Sequence, residues 1–529
     1  MVKDLRTSAI QLKMHKYPTL DASPWGLKNP QPFFPPLETL FKTETLSSLK
    51  DYGIRLGEEI EKVLDAKTIK TTKGNVVPVH RKTTMILSPF KWMRGDYGDL
   101  GLPKPESVAK EMKEKLQSPH TAGYVGALTS IVLSESGCVH FPKVYGVYVG
   151  NASSHTVDIS DDYEELSERK WFIDNLGKTF ELKLRNPEGG AEFQHTRSQR
   201  PGVVLGDDTR LEDFEELEAD HISNPSSRSN TPSQVSESVS SFVDEEESEE
   251  EDDDVFEIES CDCASDASSD EGGDDQEPYA WATFKDVPVI TTVMEPCEGT
   301  FYELVSEYPE PYKHAAWVAQ IVMALVYAQR NYAFTHNDLH GNNVMYVKTD
   351  QEYLYYKHSG TCYKIPTFGY ILKIIDFDRA ITSVRLIGMK DPRQFVSNQF
   401  HPEEEAAGQY NIEPFLDMKY PHIPPNPSFD LCRFATSMFW DMFPEGPDHP
   451  EYSLHPVFDV FKQWMKQTDD TSVMFRKQKD NHDRYHGFHL YKAIGRYCKD
   501  AVPRRELVKL SAFHCASVPL GTSCLFLEA

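Results

Sequence analysis

Three oxygen-bearing side chains, Asp338, Asn343 and Asp376, set the chemistry open to this sequence. Asp338 and Asn343 stand in Thr335-His336-Asn337-Asp338-Leu339-His340-Gly341-Asn342-Asn343-Val344, and Asp376 in Ile374-Ile375-Asp376-Phe377-Asp378-Arg379-Ala380. Each stretch places an acidic residue just beyond an apolar run. A carboxylate can orient an attacking hydroxyl, and hard oxygen donors can hold Mg²⁺, which takes few protein ligands beside phosphate oxygens. Phosphoryl transfer asks for little else except fixed positive charge near the phosphates. On this reading Asp338 orients or deprotonates the acceptor hydroxyl, while Asn343 and Asp376 hold Mg²⁺. Asp378 offers the metal a second carboxylate, and His336 ties the loop to the later triplet as structural support.

The order of these residues follows a known pattern. An H-x-D-L loop with an Asn five residues after its Asp precedes a D-F-x triplet at a strand end. His336, Asp338, Leu339 and Asn343 match the loop, and Asp376 and Phe377 match the triplet. The chain therefore resembles the protein kinase-like superfamily. A longer resemblance is to the serine/threonine protein kinases assigned to nucleocytoplasmic large DNA viruses (giant viruses). It is carried by residues 82–97, 155–164, 336–344, 408–414 and 426–433, and covers about residues 76–441 with one insertion.

The resemblance implies an α+β, bilobal protein kinase-like fold, with a small antiparallel-sheet N-lobe and a mainly helical C-lobe. It implies ATP and Mg²⁺ as cofactors, a protein Ser/Thr hydroxyl as acceptor, and the host cytoplasm or the virion as location. Lys82 or Lys91, which flank the Met85–Leu87 run, would clamp the ATP phosphates. The backbone between Glu295 and Cys297 would take the adenine edge, and Glu298 would reach the ribose. His340, in the place of the family's loop Lys, would contact the transferring phosphate. Asp430, in Phe429-Asp430-Leu431-Cys432-Arg433, would hold the loop backbone from beneath.

The departures are specific. His340-Gly341 stand in place of Lys-Pro, and Asp378 in place of the triplet's Gly. No G-x-G-x-x-G precedes the loop. Gly123 and Gly126 occupy the helix positions where a Lys-pairing Glu is expected, and Glu135 falls at that helix's end. Two rival readings follow: a small-molecule phosphotransferase of the aminoglycoside or choline kinase type, and a catalytically dead pseudokinase scaffold.

The elements that must position these residues follow from periodicity. Residues 1–45 are Pro-rich and predict an extended arm, since Asn29–Pro36 cannot be helical. Apolar spacing predicts a helix over 46–66. Residues 68–87 predict two strands joined at Lys73-Gly74-Asn75. A helix is expected over 119–135, a strand over 141–150, and an acidic helix start at Asp158–Glu165. These complete the first part of the N-lobe, 46–189. Residues 278–300 supply its last strand and the hinge. From 301 onward come a helix at Phe301, a long helix over 312–330, strands at 344–348 and 371–375, and a hairpin at 353–365. The resemblance would make Glu413-Pro414, in place of its A-P-E motif, the anchor of the segment after Asp376, and helical patterns follow to residue 498. The tail 501–529 carries no assignable chemistry.

Residues 190–277 are dominated by Gly, Ser, Asp and Glu. Such composition cannot bury enough apolar surface to offset the entropy of ordering, so a disordered acidic Ser-rich insertion is expected. Ser248 before three Glu residues and the Val255–Ile258 run are its candidate regulatory motifs. The net charge of −28 argues against non-specific nucleic-acid binding and suits basic partners. Nine scattered cysteines and an N-terminus without an apolar signal core argue for a reducing compartment and against secretion. The most apolar helical run, 317–328, is too short to span a membrane.

Overall fold

The computed structural model describes residues 9–10, 12–32, 51–96, 122–160, 163–185, 259–260, 279–386, 391–400, 406–410, 423–475, 485 and 488–527. The chain divides into two units, Met1–Ser198 with Val255–Ala529, and Gln199–Asp254, and every described residue belongs to the first. The expected insertion at 190–277, with Ser248 and Val255–Ile258, lies outside the described residues except for Glu259 and Ser260. Glu413-Pro414 lies outside them too. The described fold is mixed α+β, with several antiparallel sheets and a set of helices.

Part of the predicted arm is a strand, β1 (Leu27–Pro32). The helix expected over 46–66 is not formed where the chain is described. Tyr52–Ile54 pairs with Met14–Lys16, and β2 (Ile60–Val63) pairs with β3 (Thr68–Thr71). The spacing of Ile54, Leu56, Ile60 and Val63 suits either structure. Gly53 and Gly57 weaken a helix, and the β-branched residues gain cross-strand neighbours in the sheet. The predicted hairpin is present: β3 turns through Gly74, at φ +84°, into β4 (Val76–Pro78).

Strand β5 (His80–Met85) runs into helix α1 (Pro89–Arg94), and helix α2 (Ala122–Glu135) follows. Two long strands, β6 (Val144–Asp158) and β8 (Tyr279–Met294), form the spine of the largest sheet, with β7 (Glu181–Arg185) at one side. β8 lies between β6 and two partners. It pairs with β7 along its first half and with β5 along its second, where Lys82 sits opposite Thr292. Strand β1 and Glu259–Ser260 both pair with β6. Ala280, Ala282, Phe284, Val287, Val289 and Val293 are wholly buried, as befits a central strand covered on both faces. Trp92, Phe172 and Ile69 join this strand in one apolar cluster.

A second, larger cluster surrounds the remaining helices. Helix α3 (Phe301–Glu307) opens on a capping box made by Thr300 and Glu303. Helix α4 (Pro311–Tyr332) is buried almost all round, as its Ala- and Val-rich sequence allows, and stops where Ala333 takes φ +47°. Strand β9 (Val344–Lys348) pairs with β12 (Tyr370–Ile374), and the hairpin β10 (Tyr353–His358) and β11 (Thr361–Pro366) stands between them. Strands β13 (Ile381–Leu386) and β14 (Arg393–Val396) pair beyond the second motif. Helices α5 (Phe429–Met442), α6 (Phe458–Trp464) and α7 (Phe488–Tyr497) complete the helical part. The tail adds β15 (His514–Cys515) and β16 (Leu525–Phe526) to the two edges of the β10–β11 hairpin. Among the described residues no helix is long and apolar enough to cross a membrane.

Candidate active site

The 335–344 loop is suspended from one buried carboxylate. Asp430, in the first turn of α5, accepts the His336 amide at 3.0 Å on each oxygen and the Asn337 amide at 3.1 Å. Burial pushes Asp430 up to about 7, against the pull of those two amides. Asn337 takes φ +66°, a conformation that Asn tolerates better than most residues. Its amide donates to the Arg379 carbonyl at 2.9 Å, and its side-chain oxygen accepts from Tyr410 at 2.6 Å. His336 bonds the Ile375 carbonyl through Nε2 at 2.7 Å, while the Asp338 amide donates to Nδ1 at 3.3 Å. That network assigns the proton to Nε2. Burial lowers the His336 pKa and favours the neutral ring. His336 thus joins the two sequence motifs, helped by Thr335 and Ile381, which exchange both backbone hydrogen bonds.

Gly341 is required by close approach: a Cβ there would meet Met438 Sδ and a Tyr302 ring carbon, each at 2.4 Å. Asn343 donates through Nδ2 to the Asp338 carbonyl at 2.9 Å, and Ile375 donates to the Asn343 carbonyl at 3.0 Å. Asp376 follows at φ +62°, an uncommon conformation of the kind found at functional sites. Phe377 is buried against Phe334, His336 and Phe141.

Lys82 is the lysine that meets the second motif. Its Nζ lies 2.6 Å from Asp376 Oδ1 and 2.9 Å from Asp378 Oδ2, and Thr84 stands 3.3 Å from the latter oxygen. Burial opposes the Lys82 charge, but the two carboxylates raise its pKa above the ordinary lysine range. The carboxylates respond in opposite directions. For Asp376 the pull of Lys82 outweighs burial and lowers the pKa; for Asp378 burial and the neighbouring Asp376 raise it. Lys91 lies in α1, its amide bonded to Ser88, and does not line the cavity beside Lys82. Lys82, Asp376 and Asp378 form the polar wall of that cavity, and Val144, Ile290 and Met294 form much of its apolar side.

No carboxylate reaches Lys82 from α2. Glu135 instead accepts the Gly57 amide at 3.2 Å. Asp378 fills the gap where such a group would stand, because a Cβ on Gly126 would lie 1.9 Å from Asp378 Oδ1. Asp378 is therefore placed as an ion-pair partner. Asp376 keeps its second oxygen, and Asn343 its Oδ1, without a protein partner among the described residues. That pair of hard oxygens fits Mg²⁺.

Asp338 is held on both oxygens. Tyr491 of α7 donates to Oδ1 at 2.5 Å, and Arg379 pairs with Oδ2 at 3.1 Å. Burial opposes ionisation of Asp338, yet Arg379, His340 and Arg433 hold it well below the usual carboxylate range. His340 Nε2 stands 3.1 Å from Asn343 Nδ2, and burial pushes the ring down to about 4.

The side chains of Glu295 and Glu298, in the stretch expected to meet the base, are both engaged by lysines. Glu295 pairs with Lys373 and accepts the Lys143 amide, and its own amide donates to the Lys143 carbonyl at 2.8 Å. Glu298 pairs with Lys348 at 2.7 Å on the surface, and its amide donates to Tyr346. Pro296 has no donor, so the Cys297 amide is the one left without a partner in 295–298 among the described residues. Burial pushes the Cys297 thiol up to about 12.

No protein-family model matches the chain, and no curated protein matches it. Asn337, Arg379, Arg433 and Tyr491 were given no role by the sequence. The exchange of Gly for acid at 126 and of acid for Gly at 378 was a usable signal. Tyr491, 153 residues from Asp338, gave none.

Proposed function

We propose that the protein transfers the γ-phosphoryl group of ATP to a Ser or Thr hydroxyl of a protein substrate, on a bilobal protein kinase-like fold. The observation that carries this reading is the Lys82–Asp376–Asp378 cluster in a cavity between β5, β8 and α2, with Asp338 and Asn343 on the adjoining loop. In this reading the β1–β8 sheet with α2 is the N-lobe, residues 295–298 are the hinge, and α3 to α7 belong to the C-lobe. Lys82 supplies fixed positive charge at the phosphates, and Asp338 orients the acceptor hydroxyl. Asn343 and Asp376 would hold Mg²⁺, which when bound neutralises phosphate charge. His336 and Asp430 keep the loop in register. The viral affiliation rests on the sequence motifs.

One observation favours the scaffold reading. Both oxygens of Asp338 are engaged, so an acceptor hydroxyl must share or displace the Tyr491 contact. Radiolabelled ATP with purified protein and generic protein substrates separates the readings. Label on protein, lost in Asp376→Asn and Asp338→Asn by about 10²-fold or more, supports the kinase. Label only on alcohols or sugars supports a small-molecule phosphotransferase. No transfer and no nucleotide-dependent thermal shift leaves the scaffold.

A further inference from the structure

Arg433 is a cation with an unused donor. It lies on α5 one turn beyond Asp430, bonds Tyr491 and feels the charge of Asp338, and among the described residues has no carboxylate at ion-pair distance. Its Nε is fully buried and unpartnered. The guanidinium sits 4.8 Å over the ring of Tyr491, the residue that caps Asp338. A buried donor left unpaired is costly, and planar guanidinium donors match the oxygens of a carboxylate or phosphate.

A second orphan donor stands close by. Asn343 donates through Nδ2 to the Asp338 carbonyl, so the same nitrogen meets His340 Nε2 as a donor, and the imidazole proton falls on Nδ1. His340 Nδ1 is buried without a partner. Arg433 and His340 each act electrostatically on Asp338 and on one another. Two unused donors thus flank the group that meets the acceptor hydroxyl.

We propose that Arg433, with His340 Nδ1–H, forms an anion-binding subsite beside Asp338, and that the acceptor is a peptide whose hydroxyl is flanked by acidic groups. This rests on the phosphotransferase reading above. Carboxylate and phosphate oxygens share the required chemistry, so acidic and phosphorylated flanks are both accommodated.

The test uses the full chain and one serine peptide in four forms, flanked by Glu, phosphoserine, Gln or Lys. Binding is read by fluorescence anisotropy without ATP. The Glu and phosphoserine forms should bind about tenfold or more tighter than the Gln form, the worth of one charge-assisted contact. Arg433→Met should erase that gap, and in steady-state transfer the peptide KM should move while the ATP KM does not. Should that variant not fold, inorganic phosphate on the unmodified protein replaces it: phosphate should compete with the Glu form and spare the Gln form. Equal binding of Glu and Gln forms, an undiminished gap in Arg433→Met, or no competition by phosphate overturns the subsite. Charge-selective binding without any phosphoryl transfer would sink the kinase reading and leave the subsite standing. Transfer without charge preference does the reverse.

Discussion

Gly126 lacks a side chain, and Asp378 stands in the space that one would fill. At the residue scale this exchange makes Lys82 dependent on a carboxylate from its own metal-side motif. Gly126→Ala should drive Asp378 off Lys82 and cost about 1–3 kcal/mol, the usual range for overpacking. Thermal melting reads the stability, and the ATP KM reads the lysine. In Gly126→Ala/Asp378→Gly the clash is gone, so stability should return while the ATP KM stays raised. Asp338 makes a second prediction. Arg379 and Tyr491 keep its pKa depressed, so it stays ionised, and the rate should show no acid limb from this group above about pH 5. Tyr491→Phe removes a hydrogen bond to the charged form, so the pKa rises and an acid limb moves up the pH axis. An unchanged pH–rate profile would detach Tyr491 from Asp338.

At the scale of elements, pairing decided what periodicity left open. The hairpin at Gly74, α2, α4 and the β9–β12 pair were legible because turn chemistry and apolar spacing agreed; that the hairpin ends at Pro78 and β5 joins another sheet was not. Residues 51–66 were not, because their spacing suits a helix or two short strands and only partners elsewhere choose between them. The choice between Lys82 and Lys91 was equally hidden: it depends on the register of β5 against β8, where Lys82 faces Thr292. Glu295 and Glu298 kept their predicted place in the chain, but Lys373 and Lys348 claim their side chains. The short strands depend on Glu58, which receives Lys143, Thr71 and Asn75. Lys143, then Thr71, lowers its pKa to about 2 against burial. A depressed carboxylate contributes stability above its ordinary value, and that contribution is lost as pH falls through about 2. Lys143→Met should therefore lower Tm at neutral pH and flatten its decline between about pH 5 and 2.5. A Tm–pH curve parallel to that of the unmodified protein would refute the link.

For the whole molecule, the telling contact is Arg185 against Tyr279. The two strand ends are register partners, so the chain leaves and rejoins one antiparallel pair across this interval. The insertion expected at 190–277 lies outside the described residues except for Glu259 and Ser260, and a strand pair tolerates a long connection because closing a loop costs only slowly more as it grows. Excising residues 199–254 and joining the ends through a short Gly-Ser link should leave Tm within about 2 °C, by calorimetry, if the β7–β8 pair is the true junction. The lysine contact has another kind of consequence. Lys82 and Asp376 are 294 residues apart, and Tyr491 comes later still. A ribosome making this chain N-terminal end first exposes the lysine strand long before either partner exists. The emerging polypeptide thus lacks the Lys82–Asp376 pair for most of its synthesis, and Tyr491 can reach Asp338 only once the last helices have left the tunnel.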